Sequence, residues 1–163
     1  MKLSDYIIQN GDREVDSEKL DELLQIKRSK VWKPKEGELC WFLNSCGNIV
    51  QMYWENSKPD ISRYERGYIK KTRQECEELD KYLTTKGALK RYAQEHNEGE
   101  FDWENKSCVK YFIIYNYVVA IVDIDCSRTR QGNEVYFTSR GTAKAAIDEI
   151  GEERIKQYLL YEG

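Results

Sequence analysis

The sequence predicts an α+β fold with two tandem β-β-β-α units, each with an antiparallel sheet, preceded by a short helical N-terminal arm. Two observations lead to this prediction. First, the chain has two runs rich in β-branched and aromatic residues, and each precedes a polar link and an amphipathic helical stretch. Second, the residue pattern of the helical stretch occurs twice, which is typical of a duplicated unit.

The repeat is clearest around the start of each helical stretch. Setting Thr72 beside Ser139 aligns Leu83 with Ile150, and a slip of one residue then aligns "LKRY" with "IKQY". The polar link is shorter in the second copy, where a repeat tolerates deletion. We therefore predict three parts of the chain: the arm over 1–30, the first unit over 31–100 and the second unit over 101–163.

The first unit begins with a predicted hairpin that turns at Ser45-Cys46-Gly47-Asn48, where Gly and Asn supply turn conformations. The link "NSKPDISRYERG" follows, and then a short strand over 68–71. Thr72 and Glu75 have the spacing of a capping box, which predicts the start of a helix. Residues 84–87 either break this helix or form a weak point inside it.

The second unit begins with "SCVKYFIIYNYVVAIVDID", which predicts a second and more buried hairpin, with Asn116 as its best turn residue. A short strand over 134–137 follows the link. Ser139 is the expected cap of the next helix, and Gly151 separates it from a last helix over 152–160. The apolar stripes of these helices are predicted to be core.

Composition excludes several classes of protein. The charged fraction is 34% while the formal net charge is only −3, which favours neither a generally basic nucleic-acid binder nor an acidic mimic of DNA. No segment has the roughly 18 consecutive apolar residues of a membrane span. The N-terminal residues also lack the apolar core of a signal peptide, so we expect a cytoplasmic protein without membrane contact.

No catalytic, metal or cofactor site is predicted. Asp123 and Asp125 share one face of a strand and could hold Mg²⁺ as in a divalent-metal-dependent nuclease, an alternative that lacks a marked third acid and lysine. Cys76 and His96 would stand about 30 Å apart on a continuous helix. The five cysteines contain no CxxC pair, which favours small buried side chains and exposed thiols over a zinc site.

A partner-binding site is predicted in and beside the first link. This stretch concentrates tyrosine, tryptophan and arginine, the residues most enriched at binding hot spots. A sheet edge could also pair two copies of the chain, so a homodimer remains an alternative. The predicted contact residues are Trp54, Arg63, Tyr64, Arg66 and Tyr68.

The first hairpin, the "GYIKKTRQECEEL" stretch and the ending "VYFTSRGTAKAAIDEIGEERIKQYL" together resemble small phage and prophage proteins of Firmicutes with the pattern G-N-x-F-x-T-x-x-E-A. The chain departs from that pattern at Lys70 and Cys76. The resemblance covers residues 31–160 and implies a phage origin without a catalytic signature. It implies a binding protein that inhibits or modulates a host protein, such as a CRISPR nuclease or another immune effector.

A second resemblance is to the arm-binding domains of tyrosine integrases, which lay a three-stranded sheet in the major groove of DNA. It implies an alternative function as a sequence-tolerant DNA-binding protein. Basic residues beside the third strand of each unit would then contact phosphates and base edges, and an acidic run over 75–80 argues against this. The basic positions are Lys70, Lys71, Arg128 and Arg130.

Overall fold

The computed structural model describes residues 32–99, 101–105, 107–132 and 135–162, and the predicted arm over 1–30 lies outside them. Residues Pro34–Gly163 form one compact unit. The described residues contain two small antiparallel sheets and four helices, so the α+β class is confirmed. The elements are β1 (Leu39–Leu43), β2 (Ile49–Tyr53), α1 (Lys58–Glu65), β3 (Ile69–Lys70), α2 (Arg73–His96), β4 (Lys110–Asn116), β5 (Ile121–Ser127), α3 (Arg140–Ile150) and α4 (Glu152–Leu159).

The first sheet has the strand order β2-β1-β3, with β1 in the centre. The hairpin turn between β1 and β2 forms because the side chain of Asn44 accepts hydrogen bonds from the amides of Cys46 and Asn48, both at 2.9 Å. Gly47 follows with φ +80°, which L-residues with a side chain rarely adopt. The predicted turn is therefore present, and local polar residues define it.

The link after this hairpin contains helix α1, which the sequence analysis treated as an irregular polar segment. Ser57 and Asp60 form a capping box, and a proline in the first turn adds a preset backbone angle. The signal for this helix was therefore present in the sequence. The low hydrophobicity of the segment concealed it, because α1 has no apolar stripe.

Helix α2 runs without interruption from Arg73 to His96, which settles the alternative left open at residues 84–87. The capping box of Thr72 and Glu75 is present at its start. Within the helix, the hydroxyls of Thr84 and Thr85 donate to carbonyls of the preceding turn. Their side-chain hydrogen bonds therefore form inside the helix and do not interrupt it. α2 contacts all three strands of the first sheet and also α3 and α4. Leu89 of α2 belongs to the same core cluster as Ile113 of the second sheet.

The second sheet pairs β4 with β5, and Tyr111 of β4 also forms an isolated antiparallel bridge with Phe137. The side chain of Asn97, at the end of α2, supports this bridge. Its amide nitrogen donates to the carbonyl of Tyr136 at 2.9 Å, and its oxygen accepts from the amide of Thr138 at 3.0 Å. The side chain of Asn97 thus bonds to the backbone as a neighbouring strand would, and it joins the end of α2 to the segment before α3.

The main core lies between the end of α2, the second sheet and the last two helices. Its largest fully buried members include Phe137, Leu89 and Ile155, and the predicted alanine stripe of α3 packs there through Ala143 and Ala146. The first sheet packs separately on α2 through Cys40 and Cys76, both fully buried. Of these residues, Cys76, Leu89, Ala143 and Ala146 belong to the helical stripes that were predicted to be core, and their burial confirms that prediction. Along the described part of the chain, no helix is both long enough and apolar enough to cross a bilayer.

Candidate interaction surfaces

The predicted partner-binding residues surround helix α1, and the structure places them in different environments. Trp54 is only 2% exposed, and its ring makes an edge contact with Tyr64 at a centroid distance of 6.0 Å. Trp54 is therefore an interior residue, and its side chain does not contact a partner directly. Arg66 is exposed and Tyr68 is half-buried.

Asp60 organises this region, because its carboxylate is 3% exposed and accepts hydrogen bonds from the amides of Glu55 and Ser57. Arg63 pairs with the same carboxylate at 3.4 Å and lies over the ring of Phe42 at 4.4 Å. The guanidinium is therefore engaged within the chain. The prediction of a partner contact at Arg63, Tyr64, Arg66 and Tyr68 stays a prediction.

The four basic positions of the DNA-binding alternative lie beside two different sheets. Lys70 and Arg130 each contact an aromatic ring, Tyr161 at 5.8 Å and Trp103 at 5.8 Å respectively. Lys71 and Arg128 are exposed. These four side chains alone therefore do not form a single basic stripe, and the DNA-binding prediction stays a prediction.

Asp123 and Asp125 both accept hydrogen bonds from the amide of the following residue, each at 2.7 Å. Asp123 also pairs with Arg140 at 3.5 Å. Within the described residues, no group of three or more His, Cys, Asp or Glu side chains has an arrangement that could hold a metal ion. The two aspartates therefore have structural partners along the edge of β5.

The cysteines and the histidine have separate environments. Burial raises the pKa of Cys76 to about 11, and burial also raises the pKa of Cys40, so both thiols are poor nucleophiles at neutral pH. Cys46, Cys108 and Cys126 are exposed. His96 stacks on Tyr92 at the far end of α2 from Cys76, about 30 Å away along the helix axis.

The end of the β4–β5 hairpin is the most exposed apolar surface of the second sheet. Val118 is 93% exposed, and Tyr117 is 76% exposed. We call this surface the apolar tip; its members are Tyr117, Val118, Val119, Ala120 and Ile121. The sequence analysis predicted a buried hairpin, which holds for Ile113 and Ile124 and fails at the tip.

The backbone of the apolar tip is strained. Ala120 has φ +57°, in the left-handed region where a side chain costs about 1–2 kcal/mol. The polar support comes from Asn116, whose side-chain oxygen accepts from the amide of Val118 at 3.0 Å. A strained turn that projects apolar side chains is a frequent property of binding loops. The signal in the sequence was the absence of Gly, Pro and charged residues between the two strands.

A cleft of about 260 Å³ lies between α2, α4 and the second sheet. We call it the tyrosine cleft; it is lined by Tyr82, Lys86, Leu89, Ile113, Val135, Phe137, Tyr158, Leu159 and Tyr161. Tyr82 stacks with Tyr158 at 5.2 Å and with Tyr161 at 4.7 Å. The ammonium of Lys86 donates to the Tyr82 hydroxyl at 3.0 Å, and no described carboxylate is paired with it.

These observations define an α+β protein with an apolar tip and an aromatic cleft. Comparison of the chain with protein-family models, with curated proteins and with solved structures gave no match.

Proposed function

We propose that this chain is a non-enzymatic binding protein that inserts the apolar tip into an apolar groove on a partner protein. The observation that carries the proposal is the 93% exposure of Val118 beside Tyr117, which is 76% exposed. Fully burying such a side chain stabilises a complex by about 1.5–3 kcal/mol. Because the hairpin is held by the core through Ile113 and Ile124, little ordering is needed on binding.

The charges of the hairpin favour a protein groove over nucleic acid or an anionic membrane. Between residues 111 and 127, the charged residues are Asp123 and Asp125, both acidic. Phosphates and anionic lipid headgroups are attracted by lysine and arginine, which this segment lacks. Binding to an apolar groove on a protein requires neither lysine nor arginine.

We propose further that the partner is a host protein, with a defence effector such as a CRISPR nuclease as the leading candidate. The resemblance of residues 31–160 to small phage and prophage proteins supports this setting, and we expect the interaction to occur in the bacterial cytoplasm. Blocking a host effector requires only an interface, for which roughly 800 Å² per partner is typical. The exposed Arg66 and the half-buried Tyr64 and Tyr68 of the sequence-predicted site would contribute a second, more polar contact.

We also propose that the two halves are copies of one β-β-β-α unit. In each half the first strand pairs on one side with its hairpin partner and on the other with a short third segment. A helix cap, Thr72 or Ser139, then follows that segment at the same interval. Close contacts between the backbones of Tyr111 and Phe137 in solution, measured by nuclear Overhauser effects, test the pairing that the second copy requires.

The binding proposal is tested by placing a photo-crosslinking residue at position 118 and, as a matched control, at the exposed Ser45 of the other hairpin tip. Lysate of the bacterial host should give one dominant cross-linked protein from position 118 only, and it should survive nuclease treatment. The same product should be lost in a Tyr117→Asp background and kept in an Arg66→Ala background. Equal cross-linking from both tips, or loss only with Arg66→Ala, would overturn the role of the apolar tip.

A second candidate function is the binding of single-stranded nucleic acid at the tyrosine cleft. The observation that favours it is the combination of stacked tyrosines with the ammonium of Lys86, the chemistry that binds bases and phosphates without sequence preference. Fluorescence anisotropy with a labelled oligonucleotide at low and high salt tests it. Salt-sensitive binding of micromolar strength that Lys86→Gln abolishes would favour this function, whereas loss with Lys70→Gln and Lys71→Gln on duplex DNA would favour the sheet-based alternative.

A further inference from the structure

The outward edge of β2 has backbone groups that no described residue satisfies. At the ends of the first hairpin, the amide of Asn44 donates to the carbonyl of Asn48, and the amide of Trp54 donates to the carbonyl of Glu38. Alternate residues of an antiparallel strand bond to its partner. Val50 and Met52 therefore bond towards β1, and the amides and carbonyls of Ile49, Gln51 and Tyr53 point outward.

The outward edge of β5 is, by contrast, partly covered by side chains. Tyr111 exchanges backbone hydrogen bonds with Phe137, so β4 uses its alternate residues to bond β5. The outward groups of β5 are then those of Val122, Ile124 and Cys126, and Asp123 and Asp125 accept from the amides of the last two. Arg140 donates to the carbonyl of Ile124 at 3.0 Å. Such coverage hinders pairing with another strand along 124–126.

We propose that the open edge of β2 pairs with β2 of a second copy of this chain, in antiparallel register centred on Gln51. Both the composition and the exposure of the strand support a second copy as the occupant. Val50 is 38% exposed and Tyr53 is 65% exposed. Residues 44–54 contain no charged side chain, although 34% of the chain is charged. A two-fold axis brings each segment against itself, so any charge near it would meet a like charge.

The register makes the pairing self-complementary on both faces of the new sheet. Ile49 lies opposite Tyr53 of the second copy, an aliphatic–aromatic pair on one face. Val50 lies opposite Met52 of the second copy, an apolar pair on the other face. Gln51 meets the same residue on the axis, and the outward amides and carbonyls of all three alternate residues become bonded.

This dimer is expected to be weak and concentration-dependent. A stable interface buries about 800 Å² per partner, more than a strand of this length supplies by backbone pairing alone. We therefore expect dissociation in the micromolar range. The dimer joins the two first sheets into one continuous sheet and leaves the apolar tip of each copy free to bind a partner, so it does not depend on the proposed function.

The test uses sedimentation velocity on the full chain over a range of micromolar concentrations. The unmodified protein should shift from monomer to dimer, and Gln51→Lys and Gln51→Glu should each stay monomeric because like charges meet on the axis. An equimolar mixture of these two variants should restore the dimer. A monomer at every concentration, or dimers of both single variants, would overturn the proposal.

Amide hydrogen exchange on the unmodified protein gives a readout that needs no substitution. The amides of Gln51 and Tyr53 should exchange more slowly in concentrated than in dilute protein, whereas those of Val50 and Met52 should be protected in both. Protection of Gln51 that is independent of concentration would also overturn the proposal.

Discussion

The β1–β2 and β4–β5 hairpins have the same pairing pattern but place their polar and apolar residues in opposite ways. The first has a polar turn, built by Asn44 and Gly47, and an uncharged strand at its edge. The second has an apolar, strained turn and an edge partly covered by Asp123, Asp125 and Arg140. One hairpin therefore exposes an uncharged edge and the other an apolar tip.

The largest effect is expected where a third segment pairs with the first strand of each hairpin. Phe137 is fully buried opposite Tyr111, whereas Lys70 is half-buried opposite Trp41. Phe137→Ala should lower the free energy of unfolding by about 3–5 kcal/mol, and Lys70→Ala by less than about 1 kcal/mol. Urea denaturation followed by circular dichroism measures both. Similar losses from the two changes would contradict the difference in packing between the halves.

A smaller effect is expected at Lys110, which is buried at the start of β4, as Cys40 is buried near the start of β1. The ammonium of Lys110 donates to the carbonyl of Asp102 at 2.6 Å and also contacts the carbonyl of Asn105 at 3.4 Å. Lys110→Met leaves these carbonyls without a donor, at a cost of about 1–3 kcal/mol.

Thermal and urea denaturation of Lys110→Met would measure this cost, with the exposed Lys71→Met as the matched control. The control should stay within about 0.5 kcal/mol of the unmodified protein. An unchanged stability for Lys110→Met would mean that the buried ammonium does not hold the loop over 102–105.

The smallest effects are expected at the two turns, and they should have opposite signs. Gly47 has φ +80°, and a Cβ there would only meet Asp80 at an ordinary 3.8 Å, so Gly47→Ala should destabilise by about 1 kcal/mol through backbone strain alone. Ala120→Gly should stabilise by up to about 1 kcal/mol by removing the same strain at φ +57°. Chemical denaturation of both variants decides this, and a destabilising Ala120→Gly would show that the apolar tip is relaxed.

Local chemistry made part of the candidate surfaces predictable. The turn at Asn116 and the uncharged character of residues 44–54 are visible in the sequence, but the exposure of Val118 is not. Alternation and propensity describe a strand's immediate neighbours. How far a hairpin projects beyond the helices depends on packing between distant segments. The same limit placed Trp54 among contact residues, although its ring packs against Tyr64.

The sequence by itself determined the features whose hydrogen-bond partners lie within a few residues along the chain. The capping box at Thr72, the cap at Ser139 and the helix end at Gly151 all occur where the local pattern predicts them, because each is satisfied by backbone groups one turn away. Only the tertiary structure decided which edge is open. Arg140 reaches the carbonyl of Ile124 from a different element, and no local pattern encodes a contact between groups that folding alone brings together.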